Sequence, residues 1–225
     1  MRIHLAALLA PALLVAACVT SAPPDQRAVL AVGDSVLAWN DGRGVPEVAA
    51  AALGLPVVDA TQSGAFLLND SGVVGLTDFS IQRQWAANRG RWAWVILDGG
   101  GNDLRGDCGT PAEVATTDAL IAPDGRTGAI PALIASIRAT GSRAAFLGYY
   151  DDIVGRRTGF SACAGAFDRI NARVARLAAA DPGLMFLDAA EVIDPRDAAL
   201  YDADAVHPSP EGSRRIGAAL AARMR

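Results

Sequence analysis

Ala28-Val29-Leu30-Ala31-Val32-Gly33-Asp34-Ser35-Val36-Leu37-Ala38-Trp39-Asn40 is the stretch around which the chain is organised. Ala28 to Val32 is a short apolar run, the pattern of a strand covered on both faces. Gly33-Asp34-Ser35 stops it and sets a serine at the carboxyl end of the first strand. In an open α/β sheet, chemistry gathers outside the carboxyl ends of strands, where the strand order reverses. Gly33 permits a tight turn there, and Asp34 can bond nearby backbone amides. Ser35 is the candidate nucleophile, although a Gly-Asp-Ser triplet alone fits an ordinary turn equally well.

The rest of the chain repeats this strand-then-loop pattern. Val45 to Leu53 is predicted helical, with Pro46 in its first turn and Gly54 ending it. Pro56 to Ala60 is a second strand, followed by Thr61-Gln62-Ser63-Gly64. Ser80 to Asn88 reads as a helix that Ser80 caps and Gly90 ends. Trp92 to Leu97 is a third strand, leading into Asp98-Gly99-Gly100-Gly101-Asn102-Asp103. Pro111 to Leu120 and Thr127 to Thr140 are helical, and Arg143 to Tyr149 is the fourth strand. Tyr149-Tyr150-Asp151-Asp152 ends that strand on the same rim as Ser35 and reads as the entry to a polar loop to Ser161, a substrate contact being the alternative. Ala164 to Ala180 is an Arg-rich amphipathic helix, and Leu184 to Asp188 the fifth strand. Asp194 to His207 is mostly loop, and Pro208 to Met224 closes the chain as a helix capped by Ser209. Short apolar strands alternating with helices predict a single α/β domain, a three-layer α/β/α sandwich over residues 28–225 with a parallel five-stranded sheet. Trp85, Trp92 and Trp94 are expected in its core, and Trp39 there as well, with a place lining an acyl pocket as the alternative.

Composition narrows the function. The 225 residues are 52% hydrophobic and 20% charged, with net charge −4. All 20 basic residues are Arg and are scattered, so no nucleic-acid footprint is present. Arg2 followed by an apolar run from Leu5 to Ala17, too short to span a bilayer, reads as an export signal over residues 1–17. Val15-Ala16-Ala17-Cys18 resembles the bacterial lipoprotein signal, in which Cys18 is lipidated and becomes the first mature residue. An ordinary secretory cleavage near Ala17 or Ala22 also fits. Residues 18–27, with Pro23-Pro24, read as a tether. The expectation is a cell-envelope or periplasmic protein, held to a membrane through N-terminal lipid only. In that oxidising setting Cys108 and Cys163 are expected to form a disulfide, two buried thiols being the alternative.

Four loops then carry a set of parts that ester hydrolysis requires. A serine hydroxyl needs a base, and His207 is the only histidine outside the signal region. Asp204, three residues earlier, can reach the far ring nitrogen and fix its tautomer. The Ser35 amide, the Gly64 amide and the Asn102 side chain can serve a developing oxyanion. A metal held by His207 with Asp202 and Asp204 is a poor donor set for zinc.

In order and spacing these pieces resemble the SGNH hydrolases, also called the GDSL family of esterases and lipases. Gly33-Asp34-Ser35-Val36 is similar to the first block of that family, although Val36 stands where its name has Leu. Asp59-Ala60-Thr61-Gln62-Ser63-Gly64 is similar to the second, with Asp59 where many members have Asn. Gly100-Gly101-Asn102-Asp103 and Asp204-Ala205-Val206-His207 resemble the later blocks. The resemblance implies a flavodoxin-like fold, no cofactor or metal, and an acyl-enzyme on Ser35. His207 would act as base, Asp204 as its partner, and Gly64 and Asn102 as oxyanion donors. The expected activity is a serine esterase acting, as a monomer, on short acyl esters or lysophospholipids. An O-acetyl glycan deacetylase and a non-catalytic envelope binding lipoprotein are the alternatives.

Overall fold

The computed structural model describes residues 27–69 and 72–225. The expected signal, Cys18 and the tether up to residue 26 lie outside them. Strands β1 (Val29–Val32), β2 (Val57–Asp59), β3 (Trp94–Leu97), β4 (Arg143–Leu147) and β5 (Leu184–Leu187) form one sheet. All neighbours pair in parallel, in the order β2-β1-β3-β4-β5. This is the flavodoxin-like order, which reverses direction between β1 and β3. Val29 sits opposite Val57 on one side and Trp94 on the other, so β1 is central. Every residue of β1 and β3 is buried, as a sheet covered on both faces requires.

The helices are α1 (Ser35–Ala38), α2 (Val45–Leu53), α3 (Ile81–Ala87), α4 (Gly101–Leu104), α5 (Ala112–Leu120), α6 (Ala129–Arg138), α7 (Ala164–Ala180) and α8 (Pro210–Met224). Helices α2 and α8 pack together, whereas α5 packs on α6 and α7. Gly217 makes the first contact close: a Cβ there would lie 2.7 Å from Val48 Cβ. Local chemistry sets the ends. Gly54 stops α2 in the left-handed region, its amide bonded to Ala50 and Ala51 carbonyls. Ser80 and Ser209 accept amides of Arg83 and Gly212, capping α3 and α8.

Several expectations need correcting. The third strand begins at Trp94, not Trp92, because Trp92 donates its amide to the Ser142 hydroxyl instead of to the ladder. Helix α3 ends at Ala87 and is stopped by Asn88, whose side chain donates to the Gln84 carbonyl, and not by Gly90. The fourth strand stops at Leu147. Tyr149 and Tyr150 are not the start of a solvated loop; both are buried, their hydroxyls bonded to Gly101, Asp34 and Val206. Trp85, Trp92 and Trp94 lie in the core as expected, but Trp39 is half-buried on the active rim. Cys108 and Cys163 form a disulfide between the loop after α4 and the start of α7. Among the described residues no helix is long and apolar enough to cross a membrane.

Candidate active site

Ser35 is the first residue of α1, immediately past the β1 turn. Asp34 caps that helix by accepting the Val36 amide at 3.1 Å. The first amide of a helix has no intrahelical partner, so the Ser35 N–H is left for a ligand. Gly33 is irreplaceable here. Its φ of +157° is open to glycine, and a Cβ would sit 1.9 Å from Asp98 Oδ1. Gln84 grips the Gly33 backbone from both sides, Oε1 accepting its amide at 2.7 Å and Nε2 donating to its carbonyl at 3.0 Å.

Beneath this turn lies a buried polar cluster. Asp98 Oδ1 accepts the Asp34 amide at 2.7 Å. The Tyr149 hydroxyl donates to Asp34 Oδ2 at 2.6 Å and accepts the Gly101 amide at 2.9 Å. Burial, and then the neighbouring charge of Asp34, push Asp98 well above the ordinary carboxylate range. Burial also raises Asp34, against the opposing hydrogen bonds from Tyr149 and Val36. Asp98 is the member of the pair that keeps the proton: its Oδ2 is buried without a partner, a position no ionised oxygen tolerates cheaply. Burial and then the Asp34 charge hold the Tyr149 hydroxyl protonated as well.

The second and third blocks are tied to each other. Asn102 Nδ2 donates to the Ala65 carbonyl at 2.9 Å, beside Gly64. An amide nitrogen has two hydrogens, so the second is available to an oxyanion. Gly64 takes φ +83° in the turn closed by the Ala65 amide on the Gln62 carbonyl. The Gln62 amide in turn bonds the Gly33 carbonyl at 3.1 Å, which brings this turn against the nucleophile loop. Asp103 accepts the Leu67 and Leu68 amides at 2.9 and 2.8 Å, fixing the same segment.

The base loop is built by its own short-range bonds. Asp204 Oδ1 accepts the Val206 and His207 amides, both at 3.0 Å, and Oδ2 lies 2.5 Å from His207 Nδ1. Ala205 between them holds φ +65°. Partial burial alone would raise Asp204, but the bonds from the His207 amide and ring and the Val206 amide outweigh it and hold the carboxyl below its usual range. With Nδ1 engaged, Nε2 is the nitrogen left to accept a proton. Trp39, at the end of the helix that Ser35 begins, stacks on the imidazole with ring centroids 3.8 Å apart. Asn40 Nδ2 donates to the Pro208 carbonyl and to Ser213 Oγ, both at 2.9 Å. The segment after Ser35 and the His207 loop are thus clamped together over residues 39–40 and 207–213.

Ser35, Asn102 and Val206 line one cavity with Asp34, Tyr149, Tyr150, Phe160 and Phe167. Its volume is about 30 Å³. The structure therefore brings Ser35, Asn102 and the Asp204-His207 loop to one rim, with the Gly64 turn joined to it through Asn102 and Gly33. Sequence reasoning missed Gln84 and Asp98 as parts of this site. Among the described residues no group of three or more His, Cys, Asp or Glu is arranged to hold a metal ion.

Comparison with known proteins bears on the fold and the family. No curated protein matches the chain. Solved structures share its fold at low identity. The Mycobacterium smegmatis aryl esterase has 15% identity and a TM-score of 0.64, over 88% of this chain and 98% of that one. Phospholipase A1 from Streptomyces albidoflavus has 20% identity and a TM-score of 0.59, over 89% and 100%. A carbohydrate esterase family 2 enzyme with a carbohydrate-binding domain, from Corynascus thermopiles, has 18% identity and a TM-score of 0.60, over 92% and 68%. The model of the GDSL-like lipase/acylhydrolase family matches residues 31–215, most of the chain. The chain belongs to the GDSL-like lipase/acylhydrolase family and is an ester hydrolase.

Proposed function

We propose that the protein is an exported serine esterase for short acyl esters, with Ser35 as nucleophile. Ser35 Oγ attacks the ester carbonyl while its proton passes to His207 Nε2. The oxyanion forms against the Ser35 and Gly64 amides and Asn102 Nδ2. His207 returns the proton to the leaving alcohol, and the acyl group rests on Ser35. Water, deprotonated by His207, then releases the acid. Asp204 holds the ring and balances the imidazolium without itself taking the proton.

The observation that carries the reading is the cavity shared by Ser35, Asn102 and Val206, the residue before the base. Its volume of about 30 Å³ supports an acyl group of acetyl size, since a single water already needs roughly 10–15 Å³. Acetylated glycans present the same acetyl group and remain within the reading. The solved neighbours are named for aryl esters, phospholipids and carbohydrate esters, so they do not choose among alcohols. The disulfide and the apolar N-terminal run support export.

The test is hydrolysis of p-nitrophenyl esters from acetate to palmitate, with Ser35→Ala as control. Turnover that falls with chain length and disappears in Ser35→Ala is expected. Undiminished turnover in Ser35→Ala would refute the mechanism. A preference for long chains would refute the acyl assignment.

A further inference from the structure

Trp39 is a core residue by composition alone, yet it is half-buried and carries two contacts that a packing residue does not need. Its ring lies nearly parallel to the His207 imidazole, 9° between planes at a centroid distance of 3.8 Å. Its indole N–H donates to Asp202 Oδ2 at 2.6 Å. Asp202 belongs to the base loop itself: its amide donates to the His207 carbonyl at 2.8 Å. The indole is therefore anchored to the loop whose histidine it covers. We propose that Trp39 is a positioning residue for His207, fixing the plane of the imidazole while Asp204 anchors its Nδ1.

The physical argument has two parts. One carboxylate bond leaves an imidazole free to swing about that bond, and Asp204 is itself exposed, with 40% of its side chain accessible. A stacked face removes the swing, so Nε2 stays aimed when Ser35 gives up its proton. Misplacement of a reacting group by about 1 Å costs on the order of 10²-fold in rate. The face also suits the charge that appears. When the Ser35 proton moves to Nε2, the ring becomes a cation against the electron-rich indole. Attraction of that kind is worth about 2- to 30-fold in the step that forms the charge. Asp202 holds the indole from its far edge without touching the imidazole.

The inference rests on the esterase reading, and its test separates the two. In the full-length protein, kcat and KM for p-nitrophenyl acetate are measured for Trp39→Leu, Trp39→Phe and Ser35→Ala, with thermal unfolding of each. Trp39→Leu is expected to lose about 10-fold or more in kcat with KM within about threefold. Trp39→Phe, which keeps a ring face, should recover most of that loss. The proposal is overturned if Trp39→Leu keeps kcat, if Phe is as damaged as Leu, or if KM moves and kcat does not.

A second readout needs no substitution at the core. The indole ring current should shift the His207 carbon-bound ring protons upfield in the wild-type NMR spectrum, and Asp202→Ala should shrink that shift together with kcat. His207 ring signals at ordinary positions would overturn the stack even if Trp39→Leu fails to fold. Retained turnover in Ser35→Ala would instead bring down the esterase reading, and the catalytic role of Trp39 with it, while leaving the ring-current shift in place.

Discussion

The disulfide offers a perturbation whose size can be worked from the structure. Cys108 and Cys163 are 55 residues apart in sequence. Cross-linking them removes freedom from the unfolded chain, about 14 cal/mol/K for a loop of that length, or about 4 kcal/mol at 25 °C. For a chain of this size each kcal/mol moves the unfolding midpoint by about 2–4 °C. Removing the bridge should therefore lower the midpoint by about 8–16 °C. The assay is thermal unfolding followed by circular dichroism for the oxidised protein, the protein in dithiothreitol, and Cys108→Ala/Cys163→Ala. Both treatments remove one constraint, so the two lowered midpoints should agree within a few degrees. Cys163 is fully buried, so a larger fall in the double variant than on reduction would measure lost packing. A fall below about 2 °C on reduction, with two free thiols confirmed by titration, would refute the chain-entropy reasoning.

The remaining predictions concern the site and the cluster beneath it. Asn102→Ala should lower kcat by about 10²–10³ with KM little changed, because its amide serves the transition state; stopped kinetics on p-nitrophenyl acetate decide this. Phe160, which borders the cavity under the Arg105 guanidinium, should gate acyl length. Phe160→Ala is expected to shift preference from acetate toward butyrate, and an unchanged chain-length profile would remove it as a wall. Asp98→Asn should flatten the dependence of stability on pH. The folded state keeps a proton on Asp98 that the unfolded chain releases above pH 4, so wild-type stability falls as pH rises from about 4 toward the raised folded value. Each unit of that displacement is worth about 1.4 kcal/mol. Parallel urea midpoints for wild type and variant across pH 4–8 would show that Asp98 holds no such proton.

Much of this architecture is legible in sequence because the elements are locally determined. Val45–Leu53 announces itself with Pro46 at the start and Gly54 after the end, and the structure uses both. Ala164–Ala180 is long enough for its apolar periodicity to dominate. The Asp204-to-His207 spacing is likewise a local signal, and the turn between them forms from amides two and three residues on. What escaped is non-local or too short. Helices α1 and α4 are one turn each, less than a period needs. Gln84 reaches Gly33 across 51 residues, and Tyr149 reaches Asp34 across 115. Tyr149 and Tyr150 read as the end of a strand passing into a polar loop because Asp151 and Asp152 follow them. Only the sheet's geometry turns them inward. Trp39 was misplaced for a related reason: an aromatic after a strand is usually core, and its partner is far along the chain.

The clamp through Asn40 sets an order in time. The segment carrying Ser35 and Asn40 emerges from the ribosome early, and β1 belongs at the centre of the sheet. Its partners, Pro208 and Ser213, follow roughly 170 residues later. At about 5–20 residues per second that is a delay of roughly 10–30 s. Throughout it the serine exists without its base, and the loop after α1 has nothing to close on. Under the proposed mechanism a nascent chain is hydrolytically silent until the last helix docks.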